Sequence, residues 1–259
     1  MQAVILCGGQ GTRLREETEF KPKPMVSIGP HPILWHIMRH YASFAVKDFI
    51  LCLGYKGEII RDYFLNYRAH TQDVYLDLGQ GTVEALPREI SEPIDWRVML
   101  TNTGLDTMTG RRVLTALEHV EGETFFATYG DGVANVDLSA LLAHHRCMGK
   151  LATVTAVHPA ARFGEMSLRD GLVTSFTEKP QVAEGWINGG FFVFEKRAFA
   201  DLPARDDLIL ETDVLERLAA NGQLAVHRHE GFWQCMDTFR EMQLLNTLWS
   251  QGRAPWKTW

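Results

Sequence analysis

The feature that most limits what this chain can become stands at its start. Ala3-Val4-Ile5-Leu6-Cys7 is an apolar run with no polar interruption, broken off by Gly8-Gly9-Gln10-Gly11. Such a run is buried on both faces, which places it inside a sheet covered by helices on either side. The same grammar then recurs. Pro32 stands at a good first helical position, and Ile33, Leu34, Ile37, Met38 and Tyr41 follow it at helical spacing. Asp48–Leu53 is the next strand, closed by Gly54-Tyr55-Lys56-Gly57, and helical periodicity returns from Glu58 to Tyr67. Trp96–Leu100, a helix near Val113–Val120 and a strand over Glu123–Tyr129 continue the alternation, the last running into Gly130-Asp131-Gly132. Asp137 is a natural N-cap for a helix carrying Leu138, Leu141 and Leu142. Strands alternating with helices in this way predict an α/β fold with a mostly parallel, doubly wound sheet.

After about residue 150 the chain becomes richer in strands. Leu151–Val157 reads as a strand, Met166–Leu168 and Leu172–Phe176 as a hairpin around Asp170-Gly171, and Gly189–Phe194 as another buried strand. Helices are predicted near Thr212–Ala220 and over Thr238–Trp249. With no linker, repeat or low-complexity segment, the expectation is one domain over residues 1–259. Its first part covers about 1–150, and a β-rich elaboration of the Rossmann-like sheet covers about 151–259.

Charge and composition exclude several classes of function. The 26 Lys+Arg against 32 Asp+Glu leave a net charge of −6 with no basic run, so the chain is not built to wrap nucleic acid. It retains room for one nucleotide, which takes only a few well-placed cations. No stretch approaches the roughly 18 apolar residues of a membrane span. The start, MQAVILCGG, lacks the charged region of a signal peptide. Cys7, Cys52, Cys147 and Cys235 form no CxxC and read as reduced thiols of a cytoplasmic protein. The ten histidines do not fall at structural-zinc spacing, and there is no GxSxG for hydrolase chemistry.

Chemistry concentrates in two loops. Gly8-Gly9-Gln10-Gly11-Thr12-Arg13 follows the first strand directly, where glycines let backbone N–H groups approach an anion. It is neither GxGxxG nor a Walker A loop. Arg13 and Lys21-Pro22-Lys23-Pro24 set cations close behind it, as a phosphate-rich ligand requires. The same residues also suit a tight strand–helix turn with solvated charges. Asp131, at the carboxyl end of a predicted strand, faces the crevice where open α/β sheets bind ligands. It is placed either to hold a hard cation such as Mg²⁺ or simply to make an Asp-Gly turn.

The segments GGQGTR, KPKPM (Lys21–Met25), the YGDG quartet, Glu178-Lys179-Pro180, Asn188-Gly189-Gly190 and Trp233…Asp237-Thr238 stand in the order of the sugar-1-phosphate nucleotidylyltransferases. From Met1 to Trp259 the chain resembles that family. GYKG, MTG (Met108–Gly110), RFGEM and the ending APWKTW resemble its cytidylyl branch in particular. The resemblance implies transfer of a cytidylyl group from CTP to α-D-glucose 1-phosphate, giving CDP-glucose and pyrophosphate for deoxysugar and surface-polysaccharide synthesis. The alternatives it leaves are a sister enzyme using UTP or dTTP and a non-catalytic nucleotide-sugar sensor.

The resemblance also implies roles for single residues. Leu6, Gly8, Gly9, Gly11 and Thr12 look like the nucleotide loop. Arg13 resembles the arginine that neutralises triphosphate and departing pyrophosphate, and Lys23 the lysine near the α-phosphate. Thr107 and Arg112 resemble further nucleotide contacts. Glu178, Lys179, Asn188 and Gly189 fall where relatives bind the sugar phosphate, and Asp131 and Asp237 resemble two Mg²⁺ ligands. The family also implies a homo-oligomer. Trp249, Trp256 and Trp259 near the C-terminus suit either a subunit interface or an anchored tail. Cys7 departs from the family, standing where many relatives have Ala, and the Asn102-Thr103-Gly104 spacing before MTG is longer than expected.

Overall fold

The computed structural model describes residues 1–86, 94–159, 165–169, 172–177 and 185–259. Seven strands make one sheet: β1 (Gln2–Cys7), β2 (Asp48–Leu53), β3 (Arg97–Asn102), β4 (Thr124–Tyr129), β5 (Ala152–Val157), β6 (Ile187–Glu195) and β7 (Leu224–His229). Their order across the sheet is β7-β5-β6-β4-β1-β2-β3. Strands β4, β1, β2 and β3 are mutually parallel, as are β5 and β7. Only β6 runs against its neighbours, pairing antiparallel with β4 and β5. The sheet is therefore mixed and mostly parallel, as the alternating pattern predicts.

The unbroken apolar runs explain the layering. Along β1, Ala3, Ile5 and Cys7 enter one core while Val4 and Leu6 enter the other. Phe191 and Val193 of β6 divide from Phe192 and Phe194 in the same way. Each such buried aliphatic or aromatic side chain stabilises the fold by about 1.5–3 kcal/mol. Helix Ile33–Ser43 and Leu245 of helix Phe239–Ser250 close the first core. Val113 and Ala116 of helix Thr109–Ala116 and Leu210–Leu218 close the second. Trp256 is fully buried in the first core, and Trp249 sits edge-on to His36 at 4.7 Å. Two of the C-terminal tryptophans thus anchor the tail within the chain.

Several elements differ from expectation. Pro32 lies just before the helix in an extended conformation, pairing with Ser27. The segment Leu210–Leu215 is a π-turn that leads into a short α-helix, Glu216–Ala220. The pattern gave no sign of the ribbon Asp73–Asp77 with Thr82–Leu86, or of the pairing of Trp233–Cys235 with Gly132–Ala134. The hairpin strands are Glu165–Arg169 and Leu172–Thr177. Asp137 caps its helix as predicted, accepting from the Ala140 N–H at 2.9 Å. No helix among the described residues is long and apolar enough to cross a membrane.

This topology positions the site. The chain steps outward from β1 to β2 and β3, then returns to place β4 on the other side of β1. The reversal leaves a crevice at the carboxyl ends of these parallel strands, where such sheets bind ligands.

Candidate functional site

A cavity of about 360 Å³ occupies that crevice. It is lined by Leu6, Gly8, Gly9, Gly11, Thr12 and Arg13 after β1, and by Lys23. Thr107, Met108, Thr109 and Arg112 beyond β3, Tyr129 and Asp131 at the end of β4, and Asp237 complete the wall. Every position expected at the nucleotide or the metal therefore meets in one place.

Asp131 and Asp237 are distant in sequence and adjacent in space because of a ribbon only three residues long. Cys235 pairs with Gly132, and the Met236 N–H donates to the Asp131 carbonyl at 2.8 Å. Helix Phe239–Ser250 then fixes Asp237 from the other side. Thr238 and Glu241 form a capping box, and the Glu241 carboxylate also accepts from the Asp237 N–H at 2.7 Å.

Two cations meet these carboxylates. The Lys23 ammonium donates to Asp131 Oδ2 at 2.6 Å and also to Asp237 Oδ1. Arg13 Nη1 donates to Asp237 Oδ2 at 2.7 Å. Lys23 is nearly buried, held in a one-turn 3₁₀ segment between Pro22 and Pro24, whereas Arg13 stands in solvent. Burial is the largest single influence on the Lys23 pKa and lowers it. Asp131 and Asp237 more than offset that and hold the ammonium above its ordinary value. Lys21 is not in the cavity wall; it pairs with Glu17 at 3.1 Å.

The two aspartates satisfy the chemistry of a hard divalent cation. Their carboxylate oxygens converge on one point, and that point already attracts a positive charge. Among the described residues no three His, Cys, Asp or Glu side chains gather to enclose a metal. A pair of carboxylates completed by phosphate oxygens and water is the usual cradle for Mg²⁺. Cys235 offers no soft competitor, since burial, with Glu241, Asp237 and Asp131 nearby, pushes its thiol up to about 12.

Arg112 lines the cavity in an unexpected way. Its guanidinium is buried and donates to the carbonyls of Leu53, Gly104, Gly8 and Leu105 and to the Thr103 hydroxyl, at 2.6–3.2 Å. One side chain thus ties together the loops that leave β1 and β3 and the end of β2. Gly8 is required for this, because a Cβ there would lie 2.1 Å from Arg112 Nη1. Thr107 closes the same loop by donating to the Thr103 carbonyl at 2.6 Å.

Of the residues expected at the sugar phosphate, Glu178 and Lys179 lie outside the described residues. Asn188 and Gly189 are on β6 and do not line the cavity. Asn188 reaches its wall by donating to the Tyr129 hydroxyl at 3.2 Å, and the Gly189 carbonyl accepts from Trp233 Nε1 at 2.7 Å. Sequence reasoning missed Tyr129, Thr109 and Glu211, which interact there. For Tyr129 a signal existed in its place immediately before the Gly130-Asp131-Gly132 loop.

The nucleotidyl transferase family model matches residues 2–242. The chain belongs to the nucleotidyl transferase family. Over 260 residues, with both chains fully covered, it is 48% identical to the glucose-1-phosphate cytidylyltransferase of Salmonella typhimurium. It is 44% identical over 259 residues, again over the whole of both chains, to a probable glucose-1-phosphate cytidylyltransferase of Bacillus subtilis. Among solved structures, HddC from Yersinia pseudotuberculosis shares the fold of this chain. Its TM-score is 0.69 at 22% identity, covering 96% of this chain and 99% of that one.

Proposed function

We propose that this nucleotidyl transferase moves a cytidylyl group from CTP to α-D-glucose 1-phosphate, releasing pyrophosphate and forming CDP-glucose. The observation that carries the reading is full-length likeness to glucose-1-phosphate cytidylyltransferases at 44–48% identity, in a chain whose cavity gathers the glycine loop, two cations and two carboxylates.

A phosphate oxygen of glucose 1-phosphate attacks the α-phosphorus of CTP as the bond to the bridging oxygen of pyrophosphate breaks. The sugar phosphate is already ionised, so no general base is needed. The obstacle is two anions meeting, and catalysis is positioning plus charge stabilisation. The N–H groups of Gly8, Gly9, Gly11 and Thr12 form the phosphate cradle. Arg13, exposed at the rim, neutralises the departing pyrophosphate, and Lys23, set deeper, meets the α-phosphate. Thr107 and Arg112 bound the nucleotide side, Arg112 acting from beneath Gly8 as a buried positive charge. Asp131 and Asp237 would hold Mg²⁺, which when bound screens phosphate charge and polarises the α-phosphate. Glu178, Lys179, Asn188 and Gly189 are assigned to the sugar phosphate. On this reading residues from about 1 to 150, with Asp237, serve the nucleotide, and those from about 151 to 259 serve the sugar.

Drawing on CTP, the reaction belongs in the cytoplasm, in keeping with four free cysteines. A homo-oligomer is part of the same proposal, supported by the exposed apolar cross-strand pair of Leu76 and Val83 on one face of the ribbon. Mass-spectrometric identification of CDP-glucose from CTP, glucose 1-phosphate and Mg²⁺, with and without EDTA, tests the reaction. A product of CDP-glucose mass that EDTA abolishes is expected, and its absence overturns the reading.

A further inference from the structure

Behind the cavity wall runs a hydrogen-bond chain whose every donor and acceptor is determined. The Gly190 N–H donates to Asn188 Oδ1 at 2.9 Å, which fixes the amide of Asn188 with its Nδ2 toward the Tyr129 hydroxyl. Tyr129, its oxygen accepting from Asn188, donates to Glu211 Oε1. Thr109 donates to the other carboxylate oxygen, Glu211 Oε2, at 2.8 Å and accepts from the Leu210 N–H at 2.9 Å.

Backbone geometry holds the chain in place. Gly190 has φ +80°, and a Cβ there would lie 2.5 Å from the Tyr129 ring, so the ring is seated on bare backbone. Glu211 is carried by the π-turn Leu210–Leu215, an irregularity that is rare in helices and often found at functional sites. It does not line the cavity, whereas Tyr129 and Thr109 do. Asn188 stands exposed beside that wall, with one amide hydrogen and one carbonyl lone pair free of the chain.

We propose that Glu211 is a positioning residue for the sugar substrate. As acceptor for Tyr129 it sets the direction of the chain, and so which end of the Asn188 amide faces the glucose hydroxyls. This rests on the reading of Asn188 as a sugar-phosphate residue. An amide at position 211 can donate to Tyr129 instead. The Tyr129 hydroxyl then turns toward Asn188, whose amide must flip and release the Gly190 N–H.

The test is steady-state kinetics with each substrate varied in turn on Glu211→Gln, Tyr129→Phe, their double variant and Asn188→Ala. For Glu211→Gln and Tyr129→Phe the KM for glucose 1-phosphate should rise about 3–10-fold, the worth of one hydrogen bond, while the KM for CTP stays within about twofold. The double variant should be no worse than either single one, because both cut the same chain. A purely structural role would lower the melting temperature and move both KM values together. Tyr129→Phe removes a single oxygen and carries the test if Glu211→Gln fails to fold. If Asn188→Ala raises the glucose 1-phosphate KM but neither Glu211→Gln nor Tyr129→Phe does, the positioning role is overturned. If Asn188→Ala leaves that KM unchanged, the assignment of Asn188 falls and the role of Glu211 falls with it.

Discussion

Gly8 and Gly9 are neighbours in one loop, yet the structure demands glycine at only one of them for stability. An ideal Cβ on Gly8 would lie 2.1 Å from Arg112 Nη1 and 2.3 Å from Cζ, whereas one on Gly9 meets nothing within 4 Å. Gly8→Ala must therefore push the Arg112 guanidinium out of its place. That guanidinium serves five acceptors, in the loops after β1 and β3 and at the end of β2. A hydrogen bond to a charged group is worth about 1.5–3 kcal/mol, and the effects are not additive, so losing two costs about 3–5 kcal/mol. For a domain of this size each kcal/mol lowers the melting temperature by about 2–4 °C, which gives a fall of about 6–20 °C. Gly9→Ala should stay within about 0.5 kcal/mol of wild type, as surface substitutions do. Gly9 nevertheless lines the cavity, so the penalty of a methyl group there should appear as a raised KM for CTP. Thermal melting of the ligand-free proteins, followed by kinetics with varied CTP, separates the two effects. A melting temperature for Gly8→Ala within about 2 °C of wild type would refute the bracing role of Arg112, as would an equal fall for Gly9→Ala.

Lys23→Ala should lower kcat/KM by about 10²–10³, the scale of losing one preorganised charge at a reacting phosphate; near-wild-type turnover would contradict the assignment. Burial lowers the pKa of both His36 and His40 to about 4, and the carbonyls of Ile28 and Val136 hold them as neutral donors. Their unfolded value is about 6.5, so below that pH the unfolded chain takes up protons that the folded chain refuses. Stability should then decline by about 2 kcal/mol per histidine by about pH 5. Denaturant midpoints that are equal at about pH 7 and about pH 5 would oppose this. Thr238→Ala removes half of the capping box beside Asp237 and should cost about 1 kcal/mol, read as a melting shift of about 2–4 °C.

The central strands and the glycine loop were legible because one local pattern, an apolar run ending in glycines, carries both burial and loop chemistry. The partnership of Asp131 with Asp237 was not legible from spacing. It depends on a three-residue ribbon and a helix cap, neither of which has a periodicity to detect. The resemblance pointed to Arg112, which lines the cavity, but nothing in the sequence marked it as a brace, since its partners are mostly backbone carbonyls that any sequence carries. Strand β7 alternates buried Ala225 with exposed Val226, so it lacks the unbroken apolar signature of β1. The ribbon Asp73–Asp77 with Thr82–Leu86 presents Tyr75, Leu76 and Val83 to solvent and leaves no core-facing pattern at all. The π-turn at Leu210–Leu215 reads as ordinary helix, yet it carries the carboxylate that Tyr129 and Thr109 share.

The central claim is tested most directly by initial rates of pyrophosphate release from the purified protein with Mg²⁺ and α-D-glucose 1-phosphate, supplying CTP, UTP, dTTP, ATP and GTP one at a time. Release with CTP well above the other four is the predicted result. Faster release with another nucleotide would contradict the cytidylyl assignment while leaving the phosphate chemistry intact. No release with any of them, in a protein that still binds CTP, would contradict catalysis itself.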